Sequence, residues 1–287
     1  MGRLRQAIFD AAARTLTKPR GHYQRFQPND LASLRRIIRK GDVILIDGEQ
    51  RISEVIKYLT QSSWSHAAIY VGDELVRRHP SRRGELAARH GVDAEHLLIE
   101  AIMEGGVVAS PLAKYELVNL RVCRPRGLAP EHVVRILDEV LAQLGMRYDV
   151  QNALDLARYF FPVSLIPKRF RRTALDLGSG LTREVICSSM IARAFHNVGF
   201  PIMPTVLSHG EYGMPSGPLA FLRRRHELRP PIFRHKSPRV ATPRDFDLSP
   251  YFDVVKFNAI DVGRTQFDYR RIRWDDDAVS AQRKGVS

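Results

Sequence analysis

The chain has two cysteines, Cys123 and Cys187, in unlike surroundings. Cys187 stands at the start of EVICSSMIARAFHNVGF, where Met190, Ile191, Ala194 and Phe195 recur at helical spacing and Gly199 supplies a C-terminal stop. A thiol attacks a carbonyl carbon only as thiolate, and both the positive end of a helix dipole and a nearby imidazolium favour that form. His66 precedes AAIYV, a β-rich run, so its imidazole is held at a strand start, where it serves first as base and then as acid towards a leaving group. Glu100 lies inside LLIEAI, and a carboxylate in an apolar strand is costly to bury without a partner such as an imidazole whose tautomer it fixes. Taken singly, each residue has a plainer role: a small buried thiol, a histidine that ends a strand, a glutamate facing solvent from an edge strand. Together they meet three separate demands of one mechanism, nucleophilic acyl transfer through Cys187.

Competing chemistries find less support. Cys123, within LRVCRP, has neither a helix start nor a neighbouring histidine and reads as packing. The ten histidines and two cysteines show no C-x-x-C or H-x-x-x-H spacing for zinc, so neither a metal nor another cofactor is expected. No G-x-S-x-G elbow for a serine nucleophile occurs.

The elements that must position these groups follow from periodicity. Leu4, Ile8, Ala11, Ala12 and Leu16 form the apolar side of a basic amphipathic helix within residues 1–20, able to lie on a membrane surface or pack on the domain. VILID after Asp42 reads as a buried strand and Ile52 to Leu59 as a short helix. AAIYVGDELV looks like a strand entering a hairpin at Gly72-Asp73, and residues 77–96, rich in Arg and His, read as an inserted basic loop. LLIEAI, VVASPL and LVNLRVCRP supply further strands up to Pro125. Pro130 to Leu144 is helical and capped by Gly145, and a second helical stretch lies between Tyr148 and Ile166. Beyond Gly199 the chain reads as Pro-rich and irregular, with 261–287 a C-terminal extension and partly disordered tail.

Composition bounds the class of protein. With 287 residues, 44% hydrophobic and 26% charged, the chain can bury a full core and has no uninterrupted apolar run of bilayer length. The N-terminus develops no secretory apolar run, and Gln6 stands where a myristoylation signal wants Ser or Thr. Two distant cysteines fit a reducing compartment, so a cytoplasmic protein is expected, peripheral to the inner membrane face if the basic helix docks there. The net charge of +14 attracts anionic surfaces. Without interleaved aromatic and basic residues or a DNA-reading motif, nucleic acid is not the expected partner.

The ordered blocks GDVILIDGEQ, SSWSHAAIYVGD, LLIEAIMEGGVVASPL, GMRYDV, VICSSMIARAF and TPRDFDLSPYF resemble the signature blocks of the permuted papain-like amidases of the NlpC superfamily, the YiiX-like group. The resemblance runs from about Gly41 to about Val255. It implies an α+β papain-like fold, circularly permuted relative to ordinary NlpC-type peptidases, with a small antiparallel sheet or barrel packed on helices over residues 21–260. It also implies a triad of His66, Glu100 and Cys187, and a Tyr-Asp pair after a glycine, here Tyr148 and Asp149, lining a substrate groove. Ser65 and Ser188, next to the histidine and the nucleophile, are taken as further substrate-binding candidates. The expected activity is a cysteine hydrolase acting on an amide or ester through a thioester acyl-enzyme. A lipid-directed acyltransferase or phospholipase of the same fold, and a non-catalytic protein binding an anionic polymer or membrane, are the alternatives. The arginine-rich 77–96 and the basic N-terminal helix depart from compact members of the family.

Overall fold

The computed structural model of the chain describes residues 18–19, 23, 28–102, 105–146, 186–206, 233–234 and 237–257. The helix expected within residues 1–20, the stretch over 148–166 and the tail from 261 lie outside the described residues, as do Tyr148 and Asp149.

The first described helix, α1 (Leu31–Ile37), opens where the Asp30 carboxylate accepts the Ser33 N–H at 2.9 Å and buries Leu34 completely. Strand β1 (Val43–Ile46) is buried along its whole length, as an unbroken apolar run requires when both faces of a sheet are covered. Helix α2 (Arg51–Thr60) ends on Gln61 in the left-handed region, φ 50°, and this turn leads the chain back to Trp64, Ser65 and β2 (His66–Gly72).

The hairpin expected after Gly72 does not form. Gly72, φ +61°, and Asp73 lead into helix α3 (Glu74–Arg78). The reason is electrostatic: the side chain of Glu74 is 2% exposed and accepts from Lys40, Arg77 and Arg78, and the last two reach it only at the i+3 and i+4 positions of a helix. The arginine-rich segment that follows is likewise no loop. Helix α4 (Arg83–His90) buries Leu86, and short 3-10 turns at Pro80–Arg82 and Gly91–Glu95 flank it, the second burying Asp93 and Ala94. Its charges are paired: Arg82 with Glu85, Arg83 with Glu95, and Asp93 with Arg35 of α1.

Strands β3 (Leu97–Ile102), β4 (Gly106–Pro111) and β5 (Leu120–Pro125) follow, then α5 (Pro130–Leu141) and α6 (Ile186–Asn197). Two short strands, β6 (Thr205–Val206) and β7 (Phe233–Arg234), pair apart from the main sheet. The stretch read as irregular contains α7 (Pro243–Asp247), opened by a capping box between Thr242 and Asp245, and β8 (Phe252–Val255). The main sheet has six strands in the order β4-β3-β2-β1-β5-β8, every pair antiparallel.

Side chains alternate between two apolar layers. Val43, Leu45, Ala67, Ile69, Leu97 and Ile99 face the helices, meeting Ile136, Leu137 and Val140 of α5 and Met190, Ile191, Ala194 and Phe195 of α6. Ile44, Ile46, Ala68, Tyr70 and Leu98 face the other way, against Leu34 of α1 and the 3-10 turn Leu112–Tyr115. Phe195 is tied to the C-terminal elements by rings of Phe200, Phe246 and Phe252 at centroid distances of 5.4, 6.4 and 5.4 Å. Among the described residues no helix is long and apolar enough to cross a membrane.

Candidate active site

Alternation along β2 and β3 places His66 and Glu100 on the sheet face away from α6, whereas Cys187, in the first turn of α6, belongs to the helical layer. They meet because the sheet opens. The β2–β3 ladder runs from Gly72–Leu97 to Ile69–Ile99 and goes no further. Tyr70 gives its N–H to the Asp42 carbonyl on the β1 side, so the two-residue alternation turns the Ala67 N–H towards β3, where no strand partner takes it. That N–H and the His66 imidazole are instead turned towards Cys187 across the same opening, where both favour its thiolate.

Glu100 is fully buried and accepts three hydrogen bonds. His66 Nε2 and the Tyr115 hydroxyl reach Oε2 at 2.7 and 2.5 Å, and Lys114 Nζ reaches Oε1 at 2.6 Å. The possibility that Glu100 faces solvent from an edge strand is thereby removed: β3 lies between β2 and β4. With Nε2 committed to the carboxylate, Nδ1 is the ring nitrogen left for the thiol, the arrangement a carboxylate-oriented imidazole requires.

The charges reinforce one another. Burial works against the His66 imidazolium, but the Cys187 and Glu100 anions beside it outweigh this and hold its pKa well above the ordinary histidine range. Burial likewise disfavours the Cys187 thiolate, yet the His66 charge and hydrogen bond, the Ala67 N–H and the Ser188 hydroxyl bring its pKa below that of a free thiol. Glu100, although buried, is held far below the carboxylate range by its bonds to His66 and Lys114. Cys123 is the contrast: fully buried on β5, its thiol is pushed up to about 12 by burial, as suits a packing residue.

The other candidates divide. Ser188 is buried, with Oγ 3.9 Å from the Cys187 sulfur. The Ser65 hydroxyl accepts the Gly48 N–H at 2.9 Å and donates to the Ile46 carbonyl at 3.4 Å, so it braces the loop after β1. Two residues at the site escaped the sequence reading, Lys114 and Tyr115. The signal was present in principle, since a buried carboxylate demands donors and this pair follows directly on the β3–β4 hairpin that carries Glu100. Pairing of Leu97 with Pro111 returns the chain to the start of β3, and the Leu112–Tyr115 turn folds onto the Glu100 face. Asn29 pins that turn, its side-chain amide donating to the Tyr115 and Val118 carbonyls at 2.7 Å each.

Among the described residues no group of three or more His, Cys, Asp or Glu side chains is placed to hold a metal ion. A partly open cavity lies further along α6, lined by Ala192, His196 and Pro238 among others.

No curated protein matches the chain. A similar solved structure is that of the metalloprotein YiiX from Escherichia coli O157:H7, 18% identical, with 76% of this chain and 97% of that one covered and a TM-score of 0.41. The model of the permuted papain-like amidases, the C92 family of YaeF and YiiX, matches residues 37–179, a span that includes His66, Glu100, Lys114 and Tyr115 and ends before Cys187. The chain belongs to this permuted papain-like amidase family, with an α+β fold of six antiparallel strands and packed helices.

Proposed function

We propose that the protein is a cysteine hydrolase in which Cys187 is the nucleophile, His66 the general acid and base, and Glu100 the residue that orients His66, cleaving an amide or ester through a thioester acyl-enzyme. The observation that carries this reading is a fully buried carboxylate bonded to His66 Nε2 at 2.7 Å, beside a Cys187 thiol whose charge and that of the imidazole favour one another. In the resting pair the proton sits on His66 and the negative charge on sulfur. The thiolate adds to the carbonyl carbon, and the resulting oxyanion takes hydrogen bonds from backbone N–H groups in the first turn of α6. His66 gives its proton to the departing amine or alcohol as the carbon–heteroatom bond breaks, leaving the acyl group on sulfur. Water, giving a proton to His66, attacks the thioester, and its collapse releases a carboxylic acid and regenerates the thiolate. With 20% of its side chain exposed, His66 remains open to water and leaving group.

The test is covalent trapping on the full chain with acyl-directed electrophiles of both classes, a peptidyl electrophile and an activated lipid ester, read by intact mass and peptide mapping. Modification of Cys187 that is lost in Cys187→Ala and strongly slowed in His66→Ala is expected, with Cys123 untouched. Native protein in which neither electrophile labels Cys187 would refute the proposal. The class of electrophile that labels it separates a peptide-like amide from an acyl lipid as the substrate.

A further inference from the structure

We propose that Lys114 and Tyr115 are positioning residues that hold the Glu100 carboxylate in the single orientation serving His66, and that the Lys114 charge sets the pH range in which the Cys187–His66 pair is reactive. This rests on the hydrolase reading above and goes beyond the three residues of its triad.

The carboxylate could rotate about its last torsion if His66 were its only partner, since terminal carboxylate torsions are broad. It is instead gripped at both oxygens. Lys114 occupies Oε1 at 2.6 Å, so only Oε2 is available to the histidine, and Tyr115 shares Oε2 from a second direction at 2.5 Å. Both donors come from one four-residue turn, Leu112–Tyr115, whose Tyr115 ring is buried among Leu34, Ile46 and Leu98. Asn29 fixes that turn by its two side-chain bonds, and its backbone N–H adds a third to the Glu116 carbonyl at 2.8 Å. A side chain making one incidental contact needs no such support; a pair that aims a carboxylate does.

The two donors act differently because one is charged. Among the described residues, the titratable groups facing Glu100 are His66 of β2 and Lys114 and Tyr115 of the turn, and those facing His66 are Glu100 of β3 and Cys187 of α6. Lys114 offsets part of the Glu100 charge as His66 feels it and adds a positive field at Cys187. Removing that charge lets His66 keep its proton to higher pH and makes the thiolate harder to form, so both transitions of the pair move upward. Tyr115 is neutral: without its hydroxyl, Glu100 leans more heavily on His66, which moves the histidine transition alone.

The experiment is the pH dependence of iodoacetamide alkylation of Cys187 on the full-length protein, followed by intact mass, for wild type, Lys114→Met, Lys114→Arg and Tyr115→Phe, with thermal melts to establish folding. In Lys114→Met both inflections are expected to rise by about half a pH unit, the scale of a partly exposed ion pair, and Lys114→Arg should return them to the wild-type values. Tyr115→Phe should raise the alkaline inflection by about one unit and leave the acid one in place. Should Lys114→Met fold poorly, Lys114→Gln removes the charge and keeps a donor. Unmoved inflections in folded variants whose thiol still ionises early overturn this inference alone. A wild-type Cys187 that titrates like an ordinary thiol removes the hydrolase reading together with it.

Discussion

Replacing Glu100 by Gln tests the electrostatic core of the site, because the amide keeps the shape of the side chain and removes its charge. In the native site the carboxylate is fully buried and touches His66 Nε2 at 2.7 Å. Two unit charges about 4 Å apart at an effective dielectric constant of about 20 attract by ~4 kcal/mol. Solvent reaching the partly exposed imidazole screens roughly half of this, so His66 should lose ~2 kcal/mol of preference for its charged form, equivalent to about 1.5 pH units. The sign follows from the direction of the native shift. Glu100 helps to raise the His66 pKa, so without it the imidazolium gives up its proton at lower pH and the pair passes from thiolate–imidazolium to thiolate–imidazole earlier. The assay is the alkaline inflection of Cys187 alkylation, where the rate steps from that of the ion pair to that of the free thiolate, followed from about pH 5 to 11 alongside melting curves. An inflection that stays within about 0.3 pH unit of wild type in folded Glu100→Gln would refute the assignment of Glu100 as the partner that charges His66.

Two further outcomes follow from the fold. Phe195→Ala, which empties a fully buried ring from the cluster with Phe200, Phe246 and Phe252, should cost about 3–5 kcal/mol in urea unfolding, because α7 and β8 are tied to α6 through it. Glu74, buried but held down to about 2 by its bonds to Lys40, Arg77 and Arg78, stabilises the protein above the ordinary carboxylate value of 4.5 and loses that contribution as the pH falls from there towards 2. Glu74→Gln should therefore flatten the acid-unfolding curve below pH 4.5 and lower stability at neutral pH by about 2 kcal/mol, the scale of lost charge-assisted hydrogen bonds, since Lys40 and Arg78 retain Asp73 and Asp138 as partners.

What the sequence by itself determined is local. Apolar runs announced β1, β3 and β5, 3.6-residue periodicity announced α5 and α6, and residue chemistry singled out Cys187, His66 and Glu100, since strand and helix patterns are written in neighbours a few positions apart. The errors fell where the deciding partner is non-local or of another kind than apolar. Segment 77–96 has too few apolar residues to show a helical stripe, and its helices rest on ion pairs to Glu74, Glu85 and Glu95 and on a contact reaching back to Arg35. β8 is a four-residue strand that exists by pairing with β5, which precedes it by more than a hundred residues. The site itself divides in the same way. The types of its three central residues were legible one by one, but their meeting depends on the end of the β2–β3 ladder at Ile69–Ile99, which frees the Ala67 N–H and lets a helix on one face of the sheet present its sulfur to a histidine on the other. The need of a buried carboxylate for donors is a general law; that Lys114 and Tyr115 satisfy it is decided only by the tertiary path of the turn that Asn29 pins beside Glu100.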